Sequence, residues 1–232
     1  MTTLIEAKNL TKRFGNLTAL NGISFTLDAG RIVGLLGPNG SGKTTLLKIM
    51  NGLLETTSGE ILIHGNRPGI ETKKIVSYLP ERTYLNDWMK VKDIISFFAD
   101  FYEDFNENKA RGMMKDMDIE ETARLKTLSK GTKEKVQLAM VMARDAQVYL
   151  LDEPIGGVDP AARDYILDTI LKQYNPYATV VISTHLITDV ERIFDDLIFL
   201  KKGEIVLEGN VDDIRSREGK SVDELFREVF KC

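Results

Sequence analysis

Gly37, Gly40, Gly42, Lys43 and Thr44, in the stretch GPNGSGKTT, follow the spacing G-x-x-x-x-G-K-[ST], and each residue type in it has a use in holding a chain of phosphates. The glycines let backbone amides wrap phosphate oxygens, Lys43 reaches the outer phosphates, and the Thr44 hydroxyl is placed to ligate magnesium. The candidate phosphate loop is Gly37, Pro38, Asn39, Gly40, Ser41, Gly42, Lys43, Thr44 and Thr45. Hydrolysis beside such a loop needs a metal anchor and a group that orients the attacking water. VYLLDEP offers both at the end of an apolar run. Neighbouring side chains on a strand turn different ways, so Asp152 is expected to face the metal and Glu153 the terminal phosphate. His185 ends another apolar run, VVISTHL, and polar strand ends of an open α/β sheet converge on the ligand crevice. His64, in LIHGN, lies in a turn outside this pattern and is assigned no role.

A second anion site is suggested by LSKGTKEKVQLAMVMAR, Leu128 to Arg144. Ser129 and Gly131 stand where a helix begins, and free amides at a helix start attract anions. One phosphate loop is already present, so the question is what this second site holds.

The elements that must position these residues can be read from hydrophobic patterning. Short β-like runs, LIEAKNL, LNGISFTL, RIVGLLG and EILIHG, fill much of the first 65 residues between turn residues. The later runs KIVSYLP, VYLLDEP, TVVIST and DLIFLKK have few polar interruptions, as expected of strands covered on both faces. The helix-forming run TLLKIMNGLL follows the phosphate loop, the context that the motif requires. Between Thr83 and Leu128 the strand signal disappears, and Ile94, Phe97, Phe98, Phe101 and Phe105 fall at helical spacing, which predicts a core-facing stripe. The acidic runs EDFNEN and DMDIEE read as solvated faces. Gly203 and Gly209 bracket EIVLE as a late hairpin strand, and SVDELFREVF reads as a short amphipathic helix. The predicted fold is α/β: a phosphate-loop core with a mostly parallel sheet, an N-terminal antiparallel β lobe and an inserted helical lobe, about 83–133, all within one domain spanning 1–232.

Composition narrows the function classes. At 232 residues and 43% hydrophobic the chain can bury a proper core. A net charge of -4 gives no broad basic footprint, so a nucleic-acid partner is not expected. No apolar run approaches the roughly 18 residues of a membrane span, and the start lacks the apolar core of a secretory signal, which points to the cytoplasm. The one cysteine, Cys232, fits a reducing compartment and reads as inert.

Taken in order and spacing, GPNGSGKT, LSKGT, VYLLDEP, GGVDP and STH resemble the ATP-binding cassette ATPases, the motor subunits of ABC transporters, over essentially the whole chain. Among these the chain is most similar to single-cassette ATPases of bacterial ABC-2-type exporters. The resemblance implies ATP and Mg2+ as ligands. It implies that Phe14, in KRFGNLTAL, stacks on adenine, that Glu153 is the catalytic carboxylate with Lys43 and His185 beside it, and that Asp159 couples two active sites. It further implies a head-to-tail homodimer or heterodimer in which Ser129, Lys130, Gly131 and Thr132 serve the ATP held by the other subunit. A separate membrane-spanning permease would dock near Glu81 to Trp88 and hold the chain on the inner face of the cell membrane. Two departures stand out. Glu81 occupies a metal-site position where glutamine is common, and the signature, commonly LSGGQ, reads LSKGT. The alternative is a soluble single-cassette ATPase that drives assembly or remodelling of a protein partner. The long coiled coils of chromosome-maintenance cassettes are absent, as is the N-K-x-D motif of GTPases.

Overall fold

The computed structural model describes residues 2–231 apart from Gly157 and Asp159; Asp159 and Cys232 therefore lie outside the described residues. The first half of the chain runs β1 (Thr3–Phe14), β2 (Leu17–Asp28), β3 (Ile32–Leu36), α1 (Lys43–Met50), β4 (Ser58–Ile63), α2 (Ile70–Lys73), β5 (Val76–Leu79), α3 (Val91–Phe101) and α4 (Glu107–Asp116). It continues with a 3-10 turn at Leu125–Thr127, α5 (Lys130–Met142), β6 (Val148–Asp152), α6 (Pro160–Gln173), β7 (Thr179–Thr184) and α7 (Ile187–Val190). After a second 3-10 turn come β8 (Asp196–Lys201), β9 (Glu204–Asn210), α8 (Val211–Glu218) and α9 (Val222–Phe230). Every run expected to be a strand is one, including the hairpin strand β9, and the closing helix is α9.

Two sheets result. A three-stranded antiparallel sheet has the order β2-β1-β4, and a six-stranded sheet has the order β5-β6-β7-β3-β8-β9. The large sheet is parallel except at the β8–β9 hairpin. Its central strands send alternate side chains into two separate cores, which is why they read as unbroken apolar runs. Val33, Leu35, Leu150, Val181 and Ile198 join a core shared with α1 and the antiparallel sheet. Ile32, Leu36, Leu151, Ile182 and Phe199 join a second core with α3 to α9. Gly34 stands in β3 on this second side, where an added Cβ would lie 2.8 Å from the Phe194 ring and 2.9 Å from Leu197. Any larger residue there would push Phe194 off the strand.

Helices α3 and α4, between β5 and α5, pack Val91, Ile94, Ile95, Phe98, Met113 and Met114 into that second core. The aromatic stripe only partly does so. Ile94 and Phe98 are buried, whereas Phe97 and Phe101 are 50% and 69% exposed and stack on each other with ring centroids 5.0 Å apart. The reason is angular: Phe97 sits about 100° from Phe98 around the helix, on the flank of the buried face.

Nor is the run EDFNEN simply solvated. The buried Arg144 guanidinium makes bonds of 2.9 and 3.0 Å to the two oxygens of Asp104. It also donates to the carbonyls of Val76, Lys73 and Lys74 and lies 4.0 Å over the Tyr102 ring. One cation thus ties the end of α4's entry loop, the exit of α5 and the start of β5 together. Arg144→Met leaves a carboxylate and three carbonyls without that donor. Urea unfolding of the variant is expected to show a loss of about 3 to 5 kcal/mol. A loss under about 1 kcal/mol would place the pair with ordinary surface ion pairs.

Candidate active site

The parallel register sets the site. Leu36 of β3 lies beside Thr184 of β7, and Asp152 of β6 lies beside Ser183 of β7, so three strands finish level at their C-terminal ends. The loop Gly37–Thr45 leaves β3 there and turns into α1 at Lys43. Gly42 makes the turn with a φ of 115°, and a Cβ on it would meet the Ala19 carbonyl at 2.6 Å. The turn between β8 and β9 braces the loop from behind: the Gly203 amide donates to the Ser41 carbonyl at 2.9 Å. A Cβ at Gly37 would fall 2.3 Å from the Leu200 carbonyl. Local spacing marks the loop, but its brace comes from residues some 160 positions later and has no local signal.

Within the loop, Lys43 Nζ donates to the Gly37 carbonyl at 2.7 Å and to that of Pro38 at 3.3 Å. It lies 3.5 Å from Glu153 Oε1. Burial pushes the Lys43 amine below its ordinary range, while Glu153, Asp152 and Glu81 oppose the shift. Asp152 is buried, with Oδ1 accepting from Ser183 Oγ at 2.6 Å and from Thr44 Oγ1 at 3.2 Å. Burial pushes its carboxyl up, the two hydroxyls pull it back, and Glu81 and Glu153 add to the rise. Among the described residues three buried side-chain polar atoms have no partner: Ser41 Oγ, Tyr78 OH and Asp152 Oδ2. Two of them belong to the loop and the carboxylate that faces it. An unpaired buried carboxylate oxygen is costly unless something occupies it.

Thr44 and Asp152 are hard oxygen donors of the kind that magnesium takes alongside waters and substrate phosphates. No group of three or more His, Cys, Asp or Glu among the described residues could hold a metal alone, and a magnesium–phosphate site of this kind does not require one. The residues therefore fit a magnesium ion that is shared with a phosphate.

Glu153 reaches its position by a different route from the one expected. Strand β6 ends at Asp152, and Glu153 takes a left-handed backbone with a φ of 51°. That conformation is uncommon for a residue with a side chain and marks functional sites. Its amide donates to Ser183 O at 3.0 Å and to Ser183 Oγ at 3.1 Å. These bonds hold the kink. The carboxylate stands between Lys43 and His185 Nδ1, the latter at 3.0 Å. Ser183 thus serves both acids, and it is the functional residue that the sequence reading passes over. Its signal is a hydroxyl at the end of an apolar strand, which becomes meaningful only once β7 is known to lie beside β6.

The remaining candidates are spread out. Phe14 ends β1, is half exposed, and carries Lys12 Nζ 4.9 Å above its ring. Pro38, Asn39, Gly40 and Thr45 line the loop, Asn39 and Gly40 being exposed, and Glu81 follows β5 in an exposed loop. Ser129 caps α5, its Oγ accepting from the Thr132 amide at 3.1 Å. Lys130 points outward with Glu134 3.8 Å away, and an added Cβ at Gly131 would meet nothing. Among the described residues, no hydrogen bond or ion pair joins Ser129–Thr132 to the phosphate loop.

Comparison with known proteins agrees with this geometry. The family profile described as ABC transporter matches residues 20–156. An ABC transporter ATP-binding protein of Methanocaldococcus jannaschii is 34% identical over 215 residues, covering 90% of this chain and 79% of its own length. The SkfA peptide export ATP-binding protein SkfE of Bacillus subtilis is 32% identical, covering 88% of this chain and 87% of its own. A solved ATP-binding subunit of an ABC transporter superposes with a TM-score of 0.88 at 30% identity, covering 97% of this chain and 98% of the other. The expectation raised by the five motifs is thus met in both sequence and fold: this chain belongs to the ABC transporter family, as one of its ATP-binding, ATP-hydrolysing subunits.

Proposed function

We propose that the chain powers an exporter by closing head-to-tail on a second ATP-binding subunit around two ATP molecules. The observation that carries this reading is the level ending of β3, β6 and β7, which puts Lys43, Asp152 and Glu153 around one loop. In this reading Gly37–Thr45 bind the phosphates, and Phe14 stacks on adenine through its exposed ring face. Thr44, Asp152 and Glu81 serve magnesium, which when bound neutralises phosphate charge. Lys43 lets go of the Gly37 and Pro38 carbonyls to meet the terminal phosphate. Glu153, held by the Ser183 bonds, orients the attacking water and accepts its proton. His185, against the same carboxylate, senses the terminal phosphate.

The second anion site finds its use in the partner. Ser129, Lys130, Gly131 and Thr132 face the ATP of the other subunit, and Asp159 links the two sites. ATP favours the closed pair because its terminal phosphate is contacted from both sides, and only such a difference in affinity moves an equilibrium. No helix among the described residues is long and apolar enough to cross a membrane, so a separate permease supplies the pathway and holds the subunit at the inner membrane face. Exposed Tyr84 and Trp88, beside Glu81, form the docking surface for it. Similarity to a peptide-export subunit supports export, and relatives that are transporter subunits favour this over a soluble assembly ATPase.

Two variants test the reading. Glu153→Gln should slow hydrolysis at least about 100-fold, a barrier rise of about 2.7 kcal/mol, and accumulate an ATP-bound dimer by sedimentation; turnover within about twofold of the parent, about 0.4 kcal/mol, would remove Glu153 from catalysis. Ser129→Arg should abolish ATP-dependent dimerisation and leave ATP affinity of the single subunit unchanged, because its own phosphate loop makes no contact with Ser129. A loss of affinity in the monomer would show instead that Ser129 serves its own site.

A further inference from the structure

Helix α5 carries a buried amide in an apolar run. Gln137 is 2% exposed and is followed by the buried Leu138, Ala139 and Met140. A buried amide at such a place is unfavourable unless both ends are bonded, and here they are. Its Nε2 donates to the Pro80 carbonyl at 3.2 Å, and its Oε1 accepts from the Tyr84 amide at 3.2 Å. The two bonds bracket Glu81. Among the described residues, Gln137 is the one side chain bonded to the backbone between Pro80 and Leu85, and Glu81 to Tyr84 are all exposed. One turn earlier on the same helix, Lys133 Nζ lies 2.6 Å from Asp87 Oδ1, so α5 holds this loop at two points.

We infer that Gln137 is a positioning residue that fixes the Glu81 loop to α5, so that the helix whose start serves the partner's ATP carries with it the loop at its own subunit's metal site. The inference rests on the roles given above to Ser129 and Glu81. The same loop holds Trp88, the chain's single tryptophan, so its position can be followed without reference to hydrolysis. Leucine at position 137 keeps the bulk of the glutamine side chain and removes both bonds; glutamate keeps the acceptor for Tyr84 and loses the donor to Pro80.

The experiment compares the full chain with Gln137→Leu, Gln137→Glu, Glu81→Ala and the Gln137→Leu/Glu81→Ala double variant. In the nucleotide-free protein, Trp88 fluorescence anisotropy should fall in Gln137→Leu and fall less in Gln137→Glu. The magnesium concentration for half-maximal ATPase should rise about tenfold in Gln137→Leu, as for other residues that hold a metal ligand in place. Binding of trinitrophenyl-ATP without magnesium should not change. The double variant should match Glu81→Ala, since a loop without its carboxylate has nothing left to position. Unchanged Trp88 anisotropy in Gln137→Leu, or effects on magnesium that add in the double variant, would overturn the inference. If Glu81→Ala itself leaves the magnesium dependence untouched, the metal role of Glu81 fails, and anisotropy alone decides whether Gln137 holds the loop.

Discussion

A buried carboxylate at the end of a parallel strand is the constraint around which this molecule is arranged. Asp152 is removed from water and has one oxygen satisfied by Ser183 and Thr44 while the other has no partner. A charge in that position is tolerable only if the groups around it are fixed, because its stabilisation depends on two hydroxyls from two other segments. Ser183 is delivered by β7, and Thr44 by the first turn of α1. The strand order that puts β7 between β6 and β3 is therefore what makes the site possible. The same order puts a kinked Glu153 within reach of Lys43 and His185.

The two cores follow from this arrangement. A parallel sheet needs cover on both faces, and α1 with the antiparallel sheet covers one while the helices from α3 onward cover the other. The phosphate loop emerges on the first side, braced by the β8–β9 turn. The signature helix α5 lies on the second, joined to the sheet through Arg144 at its exit and to the Glu81 loop through Gln137 along its length. At its exit and along its length α5 is thus anchored to different parts of the machinery. Its start, at Ser129, is exposed, and among the described residues the Ser129 side chain bonds only within its own first turn, to Thr132.

The sequence reveals those features whose cause is local. The phosphate loop, the DE pair, His185 and all nine strands were legible because spacing and apolar periodicity encode them directly. What was not legible depends on which segments become neighbours. Ser183 matters through a register partner in another strand, the Gly203 turn through an amide given to a loop far away, and Arg144 through an acid inside a run that reads as solvent-facing. Glu153 was expected to point correctly by strand alternation, but a left-handed residue after the strand does the pointing. Phe97 and Phe101 share a helical spacing with Ile94 and Phe98 yet lie one residue off the buried face. LSKGT reads as a second anion site, yet among the described residues no hydrogen bond or ion pair joins it to the phosphate loop, so local spacing alone does not say what it holds.

We propose that the strand ends hold ATP together with magnesium and that the metal's contribution turns on Asp152. Calorimetric titration of the subunit with ATP, with and without magnesium, on the parent and on Asp152→Asn tests this most directly. Magnesium is expected to tighten ATP binding to the parent by at least about tenfold, 1.4 kcal/mol, and the two titrations are expected to coincide in Asp152→Asn while the magnesium-free affinity is retained. A variant that folds and keeps the full magnesium-dependent gain would contradict it.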